Sequence, residues 1–148
     1  FDVAPESAKD EAIKQCFPQL KELATKNKCS VLCVGDYNLF DDLQGGNQRK
    51  TIESMGFTDI FFPLHLDDSQ SAPVLSGTFK GYSKTDKQAK SFDNMSRLDH
   101  GFLFSPAAAI SHLQPNGKAY SVGATVEDIK AESLGSDHLP CIRPLLLL

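Results

Sequence analysis

The stretch from Ala8 to Gly35 constrains the fold more than any other part of the chain. Ala8, Ala12, Ile13, Cys16, Phe17, Leu20, Leu23 and Ala24 recur at spacings of three and four, which on a helix forms one continuous apolar stripe. Ser7, with Asp10 three residues on and Pro5 just upstream, reads as a helix N-cap with an acidic third position. Pro18 falls inside this segment, but the stripe continues in register beyond it, so a kink is expected and not a stop. "TKNK" closes the helix, and "CSVLCVG" follows as an apolar run of strand length, the pattern of a strand covered on both faces. A helix feeding a buried strand belongs to a layered α/β architecture, taken here in the broad sense that includes α+β.

Downstream the punctuation is local. "QRKTIESMG" predicts a short helix stopped by Gly56, and "FTDIFFPL" a strand or extended run. Residues 65–77 are loop-rich, "TFKGY" fits a strand, and the polar residues 83–96 predict a loop. "RLDHGFLFS" is a strand, "AISHLQP" a further strand or turn, and "DHLPCIRPLLLL" a closing strand interrupted by prolines, which suits an edge or a strand start. The chain shows no internal repeat and no domain boundary.

With 148 residues, 41% of them hydrophobic and 23% charged, the chain has the size and composition of one globular domain. No apolar run approaches the length of a membrane span, and "FDVAPESAKDEAIK" turns polar at once, unlike a secretory signal. A formal net charge of −4 without a dense lysine or arginine cluster argues against a dedicated nucleic-acid binder, whose affinity rests on phosphate neutralisation. Cys16, Cys29, Cys33 and Cys141 contain no paired CxxC spacing, so buried or reduced thiols are expected in place of a zinc site.

Three stretches place an acid beside a strand end: "GDYN" with Asp36 and Asn38, "RLDH" with Asp99 and His100, and "SDH" with Asp137 and His138. Each alone has an ordinary explanation, because Asp and Asn side chains cap turns. Gathered at one end of a sheet, carboxylates repel unless a cation lies among them, and a hard dication takes oxygen ligands of this kind. A histidine held by a carboxylate serves proton transfer or phosphate binding, and an amide adds a neutral donor for a charged oxygen. Together these are the parts for metal-assisted attack of water on phosphorus.

"VLCVGDYNLFDD", "GFTDIF", "GTFKGY", "SRLDHGFLFS" and "GSDHLPCI" resemble, in order and spacing, the motifs of the endonuclease/exonuclease/phosphatase superfamily, whose fold is shared with DNase I. The resemblance implies a four-layer α/β/β/α sandwich, of which residues 1–148 would form the C-terminal half, one mixed sheet with flanking helices. It implies that Asp36 orients or deprotonates the attacking water and that Asn38 contacts the scissile phosphate or the metal-bound network. Asp137 would lie near the metal, Mg²⁺ or Mn²⁺, and His138 would bond the phosphate with Asp99 as its orienting carboxylate. Thr78 and Phe79 would line the substrate site, and Arg97 would support its strand. His100 stands where the family often has Tyr, which implies packing, and Asp59, His65 and His112 are expected to be structural or surface residues.

The family's first half supplies an Asn, a principal metal-binding Glu and a mid-domain His, and none of these has a match here. Neither Glu6 nor Glu11 stands in the right context for that Glu. The chain is therefore expected to be the C-terminal part of a longer domain, partnered by the N-terminal half or by a second copy, and inactive alone. The implied activity is a Mg²⁺-dependent phosphodiesterase or phosphatase acting on nucleic acid or a phospholipid headgroup. The inositol phosphatase branch usually carries W-x-D-R where this chain has "RLDH", which sets it apart. The alternative is a non-catalytic binding or scaffold domain that keeps the fold.

Overall fold

A computed structural model describes residues 5–39, 47–65, 98–121 and 141–148. Helix α1 spans Glu6–Asn27 and continues past Pro18. Proline removes the N–H that would bond the carbonyl of Lys14, and both residues lie on the exposed side of the helix. The start corrects the expectation for Ser7: Pro5 is the N-cap (φ −54°, ψ 146°) and Ser7 lies inside the first turn. The Pro5 carbonyl takes the N–H groups of Ala8 and Lys9 at 2.9 and 3.2 Å, so the turn closes with no side-chain cap. At the other end Lys28 adopts a left-handed conformation (φ 52°) and the Cys29 N–H reaches back to the Ala24 carbonyl at 3.0 Å, the six-to-one bond that satisfies a terminal carbonyl.

The apolar stripe is narrower than its spacing predicts. Ile13, Phe17 and Ala24 are buried, whereas Leu23 is 55% exposed and Ala8 and Cys16 face solvent. The helix is buried along one line, and Lys9 rather than Ala8 continues that line at its N-terminal end, buried among the core elements.

Strand β1 (Val31–Asp36), strand β2 (Thr58–Asp59) and strand β4 (Asp99–Phe104) form an antiparallel sheet in the order β1-β4-β2. Between β1 and β2 lies helix α2 (Gln48–Ser54), followed by Gly56 at φ 98°, a left-handed stop that only glycine adopts without strain. Ile13, Phe17, Leu39, Ile52, Phe57 and Phe102 form the core between helices and sheet. Phe17 meets the Phe57 and Phe102 rings edge-on at 5.0 and 5.5 Å, a favoured aromatic arrangement. β4 is the central strand, with His100, Gly101, Phe102 and Leu103 all buried. At Gly101 an added Cβ would lie 2.7 Å from Ile60 Cγ1, so the absence of a side chain lets Ile60 pack on the strand.

β1 departs from expectation. Among the described residues it pairs with β4 alone, and it is covered on one face: Val31 and Cys33 turn toward the core side, while Val34 on the opposite side is 61% exposed. Strand β3 (Leu64–His65) runs parallel to β6 (Ala119–Ser121), which pairs antiparallel with β7 (Cys141–Ile142). Strand β5 (Leu113–Pro115) pairs antiparallel with β8 (Leu145–Leu147). The described strands thus form three small sheets in place of one mixed sheet. Prolines at 63 and 144, which cannot donate to a ladder, stand between β2 and β3 and between β7 and β8. The architecture is mixed α and β, and none of its described helices is long and apolar enough to cross a membrane.

Candidate active site

Register decides which predicted residues meet. β1 and β4 place Asp36 opposite Asp99, Gly35 opposite His100 and Cys33 opposite Phe102. The Tyr37 N–H donates to the Leu98 carbonyl at 3.0 Å, so residues 37 and 98 form a hydrogen-bonded pair. By the alternation of an antiparallel ladder, Asp36 and Asp99 form the next, non-hydrogen-bonded pair, in which Cα atoms stand about 4.5 Å apart and side chains are closest. Both carboxylates leave the same face, because opposed residues share a face. That face is the one turned away from α1, since Phe102 and His100 point toward Phe17 and the core. Asp36 is exposed and Asp99 half-buried. Directly opposed like charges are unfavourable, and oxygen donors in this arrangement suit a hard dication.

Asn38 completes the turn that leaves β1. Its backbone is left-handed (φ 49°), a conformation that Asn tolerates better than most residues, and its N–H donates to Asp36 Oδ1 at 2.8 Å. Asp36 is therefore a turn former as well as a site candidate. Two buried side chains hold the same turn from outside. Lys9 Nζ donates to the Asn38 carbonyl at 2.6 Å, and His100 Nε2 lies 3.3 Å from the Leu39 carbonyl.

His100 is anchored at its other nitrogen. Its Nδ1 lies 2.9 Å from Asp59 Oδ2, and Asp59 Oδ1 also accepts the Phe61 N–H at 3.1 Å. Both side chains are fully buried. The imidazole stacks on Phe102 (centroids 5.4 Å, planes 6° apart) and receives the Tyr37 ring edge-on at 6.1 Å. A packing role for His100 and a structural role for Asp59 were expected; their pairing was not. The signal available was the acid of "GFTDIFF", set in a mostly aromatic and aliphatic run that carries it inward. Lys9, a lysine on a buried helical line, left no such mark.

The surroundings shift two groups. Burial, then the charges of Cys33 and Asp59, push the Tyr37 phenol well above its ordinary value. Burial also pushes the Cys33 thiol up, which makes it a poor nucleophile. None of the four cysteines forms a disulfide.

Asp36, Asn38 and Asp99 thus come together. Thr78, Phe79, Arg97, Asp137 and His138 lie outside the described residues. His112 is held through its backbone, exchanging hydrogen bonds with Leu148 at 2.9 Å in both directions, as a structural residue would be. Among the described residues no group of three or more His, Cys, Asp or Glu side chains forms a metal cage. No family model, curated protein or solved structure matches the chain.

Proposed function

We propose that the chain is the C-terminal half of a Mg²⁺-dependent phosphoric ester hydrolase of the endonuclease/exonuclease/phosphatase type. The observation that carries this reading is the juxtaposition of Asp36 and Asp99 on one sheet face, with the left-handed Asn38 two residues on. The ordered motifs around them, through "SDH" near the end, make the pair part of a larger set. On this reading Asp36 takes a proton from water or orients it, Asn38 offers its amide to a phosphate oxygen, and Asp99 orients His138. His138 then donates to the phosphate. Asp137 would hold the metal, together with acids from outside the chain. A bound dication would supply charge neutralisation at the phosphate and a more acidic water.

The exposed Val34 beside Asp36 supports a sheet face that a second half-domain covers, the inner interface of a two-sheet sandwich. The substrate is a phosphodiester of nucleic acid or of a phospholipid headgroup. The test uses the full-length gene product with Mg²⁺ and bis-p-nitrophenyl phosphate. His138→Ala is expected to lower kcat by about 10²–10⁴-fold, the range for removing a positioned acid or base. Wild-type turnover in that variant would overturn the reading.

A further inference from the structure

The turn that carries Asn38 is held by side chains remote in sequence, and one of them is placed by a partner of its own. His100 faces two acceptors: the Asp59 carboxylate at Nδ1, 2.9 Å away, and the Leu39 carbonyl at Nε2, 3.3 Å away. Asp59 is fixed in turn by the Phe61 N–H, and stacking on Phe102 sets the plane of the ring. Asn38, between Tyr37 and Leu39, keeps a left-handed backbone, which persists in a non-glycine residue where the surroundings over-determine it. The clamp is three-sided: Asp36 Oδ1 takes the Asn38 N–H, Lys9 Nζ takes the Asn38 carbonyl, and His100 takes the next carbonyl.

We propose that Asp59 and His100 form a positioning pair for this turn, in which Asp59 aims the imidazole so that Nε2–H donates to the Leu39 carbonyl and fixes the placement of Asn38. The pair joins the central strand β4 and the short strand β2 to the loop beyond β1, so the turn is set by the sheet and not by its own sequence. The consequence for turnover rests on the phosphoesterase reading; the geometry of the turn does not.

Nitrogen-15 NMR on the unmodified chain gives the first test, with an imidazole Nε2–H signal from His100 protected from solvent exchange. An unprotonated Nε2 overturns the proposal without any variant. Two substitutions then separate donation from packing, because a Gln amide nitrogen reaches the position of Nε2 and an Asn amide nitrogen that of Nδ1. His100→Gln is expected to keep the Asn38 backbone amide and carbon shifts. His100→Asn is expected to move them and to speed exchange of the Asn38 amide. Unchanged Asn38 signals in His100→Asn sink the clamp, whatever the enzyme does. In full-length protein, His100→Asn is expected to lower kcat by about tenfold or more with KM little changed, as misplacement of a catalytic group does, with His100→Gln restoring most of it. Absence of hydrolysis in the unmodified full-length protein defeats the phosphoesterase reading alone and leaves the NMR outcome to decide the positioning pair.

Discussion

Replacing Asp59 by Ala tests the most deeply buried polar contact in the described structure. Asp59 is 2% exposed and His100 0%, so removal of the carboxylate leaves the His100 Nδ1 proton facing apolar surroundings and frees the Phe61 N–H. An unsatisfied buried donor costs about 1–3 kcal/mol, and the change leaves two of them, the His100 Nδ1–H and the Phe61 N–H. We expect Asp59→Ala to destabilise the chain by about 3–5 kcal/mol, the two donors taken together. With urea slopes of about 1–3 kcal/mol/M for domains of this kind, the unfolding midpoint should fall by at least about 1 M. Asp59→Asn should behave differently. Its amide NH₂ can donate to Nδ1 of a neutral ring while its oxygen keeps the Phe61 N–H, and Nε2–H still reaches Leu39, so the loss should be about 1 kcal/mol, one hydrogen bond's net worth. Urea unfolding followed by circular dichroism measures both. An Asp59→Ala midpoint close to wild type, or equal losses in the two variants, would refute the reasoning.

Lys28 holds a left-handed C-cap, which costs a residue with a Cβ about 1–2 kcal/mol; with the entropy cost of glycine taken off, Lys28→Gly should stabilise by about 0.5–1 kcal/mol and raise Tm by a few degrees, and a fall in Tm would contradict this. A thiol reagent should modify the exposed Cys16 and Cys29 quickly and Cys33 slowly, because burial both shields that thiol and raises its pKa; equal rates at all three would argue against the burial of β1. The Tyr37 phenol binds its proton more tightly in the fold than in the unfolded chain. Stability from this source is therefore full below the ordinary phenol value near pH 10 and declines as pH rises above it. Urea midpoints of wild type should fall relative to Tyr37→Phe over that alkaline range, and parallel curves would count against the assignment.

Much of the local structure was legible. The helix through Pro18 followed from a stripe that stays in phase beyond the proline, Gly56 marked the end of α2, and the prolines of "CIRPLLLL" divided the closing strands. The capping of α1 was misread because Ser7 and Asp10 fit the usual pattern, while Pro5 had already turned its carbonyl onto the first turn. The order of the motifs brought Asp36, Asn38 and Asp99 forward as candidates, since acids and amides beside apolar runs are visible without a fold. These are short-range signals, set by residues a few positions apart.

What the tertiary structure alone decided is which of them meet, and on which face. A shift of one residue between β1 and β4 would turn Asp36 and Asp99 to opposite sides, and the register is held by the face of each strand that packs on the core. His100 and Asp59 stand 41 residues apart, each unremarkable in its own segment. Their contact exists because β2 and β4 are paired so that Asp59 lies opposite Phe102, next on the same face to His100. The exposed side of β1 is likewise a matter of what packs against it. Residue type and spacing determined the elements and the chemistry on offer; pairing between distant strands, where parity assigns every side chain to a face, decided which of that chemistry is brought together.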